Sequence, residues 1–62
     1  MRTGEKIKKA REARGLTQEQ LAKLLDKKQP YIARLESGKY NPRLDILRKI
    51  AKVLGVEPKD LI

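Results

Sequence analysis

Apolar residues recur along this chain at spacings of three and four, and no stretch alternates apolar with polar for long enough to suggest a strand. The pattern predicts an all-α protein. A first helix is expected from about Thr3 to Arg14, facing inward through Ile7, Ala10 and the stem of Arg11. Its small residues Ala10 and Ala13 would let a neighbouring helix come close, and Gly15 supplies the left-handed residue that ends it. The run from Leu16 to Leu21 carries the clearest helix start. Thr17 can accept from the Gln20 amide while the Gln20 side chain reaches back to the Thr17 N–H, and Leu16 can staple onto Leu21. A short second helix then continues to about Leu25, burying Leu21, Ala22, Leu24 and Leu25.

After a turn at Asp26 and Lys27, a third helix carries Ile32 and Leu35 inward and stops at Gly38. Its start has two readings. Pro30 suits the first helical position, which makes Gln29 the cap; otherwise Lys28 caps and Pro30 sits one step inside, and the restriction on a residue before proline favours the first. Asn41-Pro42 forms a turn, and a fourth helix from Leu44 to Leu54 places Leu44, Leu47, Ile50, Ala51 and Leu54 on one face before Gly55 closes it. Glu57-Pro58 then opens a last short turn of helix whose Leu61 and Ile62 cover the core from outside. Five helices in one domain over residues 1–62 result, with no repeat or linker to divide them.

Composition narrows the chemistry. With no cysteine there is no disulfide framework or thiolate metal site, and with no histidine the usual general base and zinc ligand are gone, so no metal or cofactor is expected. Ser37, the one serine, has no base to activate it, and the carboxylates are scattered beside basic residues that would depress their pKa, which argues against an enzyme. No apolar run is long enough to span a membrane, the N-terminus lacks a signal-peptide core, and exposed aromatic anchors for a membrane surface are missing, so a cytoplasmic protein is expected. Sixteen Lys and Arg against eight Asp and Glu leave a net charge of +8. Such excess on so small a body favours a polyanionic partner.

Two short helices joined by a few residues, the second polar on one face, form the layout that sets a helix into a DNA major groove. The residue order makes the reading specific. The segment LTQEQLAKLLDKKQPYIARLESG, from Leu16 to Gly38, resembles the helix-turn-helix of the Cro and phage-repressor family, also called Xre-like, with the unit itself at about residues 17–37. Further landmarks agree at the family's spacing: Arg11, Gly15 to Gln18, Leu21-Ala22, Ile32, Leu35-Glu36, Gly38, Asn41-Pro42, Ala51 and Leu54 to Val56. The resemblance covers nearly the whole chain and implies a compact five-helix, lambda-repressor-like domain that binds double-stranded DNA.

The resemblance also implies that Gln18 touches phosphate and braces Gln29, while Gln29, Pro30, Ala33 and Arg34 face base edges. Helix geometry agrees, because positions 29, 30, 33, 34 and 37 lie opposite Ile32 and Leu35. Gln29 has the chemistry to pair with adenine and Arg34 with guanine, and Ala33 and the Pro30 ring could pack on a thymine methyl. Each also has a plainer role: Gln29 as a cap, Pro30 as a helix starter, Ala33 as a helix former, Arg34 as a phosphate or solvent contact. For Arg11 and Glu36 the related repressors imply a buried ion pair joining the first and third helices.

Phosphate contacts are expected from Lys27 and Lys28 before the third helix and from Lys39, Tyr40, Asn41 and Arg43 after it, where the family's loop lies along the backbone. Backbone N–H groups at the starts of the second and fourth helices add donors. Tyr31, read as exposed, could donate to a phosphate or pack on a helix, while Arg48, Lys49, Lys52 and Lys59 read as solvated surface. The chain departs from the family by Asp26 in place of glycine, Lys27 in place of an apolar residue, Lys28 in place of Ser or Thr, and Arg43 in place of a serine cap. Asp tolerates the left-handed turn; losing a hydroxyl cap costs about 1 kcal/mol, and each added cation faces the expected DNA.

The expected function is sequence-specific DNA binding through the helix at about 29–37, as a transcriptional regulator or an engineered binder on this scaffold. The alternative is a protein-interaction module of antitoxin or coactivator type, which would need an exposed apolar patch where the outward positions are mostly Lys, Arg, Gln and Glu. A monomer on one short site is expected, with a homodimer on palindromic DNA as the other arrangement, because little chain follows the fourth helix to build an interface.

Overall fold

The computed structural model describes all residues 1–62 as four α-helices and one 3-10 turn: α1 Thr3–Ala13, α2 Gln18–Leu24, α3 Gln29–Ser37, α4 Leu44–Leu54 and the turn Pro58–Leu61. The fifth helix expected from the sequence is thus a 3-10 turn. Pro58 has no N–H to contribute, and four residues are too few for an α ladder; instead the Asp60 N–H reaches the Glu57 carbonyl at 2.9 Å and the Asp60 carboxylate accepts from the Glu57 N–H at 3.0 Å.

All four helices stop in the same way. A residue with positive φ turns the chain, and the next N–H donates to the carbonyl five residues back: Leu16 to Arg11, Lys27 to Ala22, Lys39 to Arg34 and Val56 to Ala51, at 2.8 to 3.1 Å. Glycine supplies the turn at 15, 38 and 55, but at the end of α2 the left-handed residue is Asp26, with φ 59°. The start of α2 carries its reciprocal cap, with the Gln20 N–H donating to Thr17 Oγ1 at 3.0 Å and the Thr17 N–H to Gln20 Oε1 at 2.8 Å.

The core takes Ile7 from α1, Leu21 from α2, Ile32 and Leu35 from α3, Ile50 and Leu54 from α4 and Leu61 from the terminal turn, all essentially inaccessible. Three expected core residues lie outside it. Leu24 is 58% exposed because, at about 100° per residue, it falls beyond the arc that Leu21, Leu25 and Ala22 share. Leu44 is 54% exposed because it opens α4 at the edge of its buried arc, before the helix reaches α1 and the terminal turn. Ile62 points to solvent once Leu61 has turned inward.

Two further expectations change. Lys28, extended at φ −100° and ψ 154°, is the cap of α3, and Gln29 and Pro30 are its first two helical residues. The restriction before proline is a bias that the turn overrides, since the Lys28 carbonyl is already taken by the Tyr31 N–H at 3.0 Å. The close helix approach expected at Ala10 and Ala13 occurs instead at Gly4. Ala10 is half-buried and Ala13 exposed, whereas a Cβ on Gly4 would stand 2.4 Å from the Leu35 carbonyl oxygen and 2.8 Å from that of Glu36. At that point α1 rests directly on the backbone of α3.

Candidate nucleic-acid interface

α3 buries Ile32, Leu35 and Glu36 against α1 and α2, which leaves its other face to water. Gln29, Pro30, Arg34 and Ser37 are exposed on that face and Ala33 is half-buried at its edge. Ser37 turns its hydroxyl back to donate to the Arg34 carbonyl at 3.0 Å. The face therefore offers an amide, a guanidinium and small apolar surface, chemistry suited to base edges.

Beneath it runs a buried polar chain. Arg11 Nε donates to Glu36 Oε2 at 2.7 Å and Arg11 Nη2 to Glu36 Oε1 at 3.0 Å, a two-pronged ion pair that joins α1 to α3. The third prong, Arg11 Nη1, reaches the Leu16 carbonyl at 2.7 Å and holds the loop before α2. The hydrogen bonds to Glu36, ahead of the opposing effect of burial, raise the Arg11 guanidinium above its ordinary pKa, so it stays charged. From Glu36 the chain continues outward: Gln18 Nε2 donates to Glu36 Oε1 at 3.0 Å, and Gln29 Nε2 donates to Gln18 Oε1 at 2.8 Å. No buried side-chain nitrogen or oxygen lacks a partner. The brace between Gln18 and Gln29 was expected; the link from Gln18 to Glu36 was not, and nothing local in the sequence signals it across eighteen positions.

The flanks of this face are basic. Lys27, Lys28, Lys39 and Arg43 are all exposed, and Lys27 and Lys28 line a shallow groove with Glu19, Lys23 and Gln29 between α2 and α3. Arg43 has only a loose contact with Asp45, at 3.8 Å and fully hydrated, which leaves it available to an anion. Tyr31, read as exposed from the sequence, is half-buried, because its ring packs against the edge of the hydrophobic core. Tyr40 lies 5.6 Å away, ring centre to ring centre, its hydroxyl directed at the Tyr31 carbonyl, and the Lys27 ammonium sits 5.1 Å over the Tyr31 ring. Burial first, then the Tyr40 and Asp45 charges, hold the Tyr31 phenol above its ordinary pKa, so it remains a donor. Asn41, exposed, completes the loop after α3.

At α2 the capping box occupies the N–H groups of Thr17 and Gln20, leaving those of Gln18 and Glu19 facing out. At α4, Arg43 supplies no side-chain oxygen to cap the first turn. No three acidic, His or Cys side chains gather where a metal could sit, and no helix is long and apolar enough to cross a membrane.

Comparison with known proteins yields a consistent picture. The family described as Helix-turn-helix matches residues 7–61. The chain is 42% identical over 60 residues to the control protein C.BamHI of Bacillus amyloliquefaciens, covering 95% of this chain and 74% of that protein. It is 37% identical over 62 residues to the immunity repressor protein of Bacillus phage phi105, of which it spans 43%. Among solved structures, the restriction-modification controller protein C.AhdI from Aeromonas hydrophila superposes with a TM-score of 0.89 at 35% identity, covering 97% of this chain and 87% of that one.

Proposed function

This chain belongs to the helix-turn-helix family, and on that premise we propose that it binds double-stranded DNA sequence-specifically, with α3 in the major groove, and regulates transcription. The observation that carries the reading is the two-sided character of α3. Three of its residues are buried in the scaffold, and its opposite face stands clear of neighbouring helices between two basic flanks. Its work is recognition, and no chemical step is needed.

In this reading Gln29, Pro30, Ala33 and Arg34 face base edges. Gln18, Lys27, Lys28, Tyr31, Lys39, Tyr40, Asn41 and Arg43 meet the sugar-phosphate backbone on either side. The hydrated cations at 27, 28, 39 and 43 and the protonated Tyr31 phenol support that division, since backbone contacts set position and base contacts set sequence. Residues 1–62 act as a single domain, one chain on one short site. On a palindromic duplex two copies would set their α3 helices about 34 Å apart, and sedimentation with and without such a duplex distinguishes the two arrangements.

Binding to duplexes selected from a random pool tests the function. Neutralising four or five phosphates should give a slope of log K against log salt of roughly −4. Arg34→Ala should relax preference at one base position, whereas Lys39→Ala should weaken all duplexes alike. A slope near zero, or no enriched sequence, would refute the proposal.

A further inference from the structure

The polar chain under α3 has a direction, and the direction has consequences for what α3 can read. Glu36 is buried and engages Arg11 through both carboxylate oxygens, so it can only accept hydrogen bonds. Whatever Gln18 turns toward Glu36 Oε1, 3.0 Å away, must therefore be its NH2 group. That forces the Gln18 carbonyl oxygen to the opposite side, where it stands 2.8 Å from Gln29 Nε2. Gln29 in turn must offer Gln18 an N–H, because two carbonyl oxygens cannot share a hydrogen bond. One N–H and the carbonyl oxygen of Gln29 remain for a ligand.

We propose that Glu36 is a positioning residue for base recognition: acting through Gln18, it fixes which way the Gln29 amide points and so makes Gln29 present one donor and one acceptor to the groove. Adenine shows there an N7 acceptor beside an N6 amino donor, the complement of that pair. Guanine shows two acceptors, N7 and O6, and would suit a Gln29 turned over to present both N–H groups. A carboxylate that never touches DNA thereby selects between the two purines. The inference rests on the DNA-binding reading above and adds to it a source of specificity below the contact surface.

Two variants separate this from a merely structural role for the ion pair. Replacing Arg11→Met together with Glu36→Leu exchanges the buried pair for apolar contacts and leaves Gln18 and Gln29 in place but unanchored. In a selection from random duplexes, the preference for adenine over guanine at the Gln29 position, roughly tenfold in the wild type, should fall toward parity. Gln18→Lys puts a donor-only group between Glu36 and Gln29, so the Gln29 oxygen must swing inward, and the preference should move to guanine by a similar factor. This second variant keeps the Arg11–Glu36 pair, so it decides the matter even where the double replacement fails to fold. The added lysine charge strengthens all duplexes alike and leaves the ratio between purines as the readout.

A DNA-free measurement accompanies the selection. In nitrogen-15 spectra of the free protein, the side-chain NH2 signals of Gln18 and Gln29 should be displaced from free-amide positions and protected from exchange, and should join the free amides in the double variant. Wild-type signals at free-amide positions would overturn the relay. So would both variants keeping the wild-type purine preference while still selecting duplexes. Failure of the wild type to select any duplex would instead overturn the DNA-binding reading, with the free-protein spectra still deciding whether the relay exists.

Discussion

Adding one methyl group at Gly4 sets two effects of opposite sign against each other. Gly4 lies in the first turn of α1, and glycine in a helix costs about 0.5–1 kcal/mol relative to alanine, so propensity alone predicts that Gly4→Ala stabilises the protein. The tertiary contact predicts the reverse. The new Cβ would stand 2.4 Å from the Leu35 carbonyl oxygen and 2.8 Å from the Glu36 oxygen, and to reach an ordinary contact of 3.4 Å, α1 must lift from α3 by about 1 Å. Both obstacles are backbone and cannot rotate away. Overpacking of this kind costs about 1–3 kcal/mol, and the propensity gain is smaller in a first turn than mid-helix, so the clash wins by roughly 1–2 kcal/mol. In a domain of this size that lowers the melting temperature by about 4–16 °C. Urea unfolding followed by far-ultraviolet circular dichroism should show a lower midpoint with an unchanged slope. An equal or higher midpoint would refute the reasoning and mean that α1 and α3 are not in backbone contact at Gly4.

Arg11→Met alone strands the Glu36 carboxylate in the interior and should cost roughly 3–5 kcal/mol in urea unfolding, far more than Arg11→Met combined with Glu36→Leu. Thr17→Ala removes the oxygen that holds the Gln20 N–H and should cost about 1 kcal/mol, read in the same melts. Asp26→Gly relieves the one left-handed residue that carries a side chain and should gain about 0.5–1 kcal/mol, seen as a higher midpoint. Tyr31 has a folded pKa above its unfolded value, so its contribution is fully present below pH about 10 and declines as pH rises through the folded pKa. The melting temperature of the wild type should therefore fall more steeply above that pH than that of Tyr31→Phe.

Much of the architecture is written in short-range pattern. The caps at Thr17 and Gly38, the stripe through Leu47, Ile50, Ala51 and Leu54, and the breaks at Gly15 and Gly55 all act within a few residues, so reading along the chain finds them. The polar face of α3 was legible for the same reason, because burying Ile32 and Leu35 sends positions 29, 30 and 34 to the other side. Leu24, Leu44 and Ile62 were misplaced because hydrophobicity says which residues can be buried, not how far the neighbouring helices extend to cover them. The entry into α3 turned on one hydrogen bond, from Tyr31 to the Lys28 carbonyl, that decided between two starts the sequence tolerates.

The sequence by itself determined four helices with their breaks, a cationic surface and an outward polar helix, since each follows from local hydrogen bonding, hydrophobic period or simple charge. Only the tertiary structure decided that Gly4 touches the backbone of α3 and that Glu36 reaches Gln29 through Gln18. Those contacts join residues 11 to 32 positions apart, and their geometry depends on how three helices cross, which no spacing along a single chain encodes.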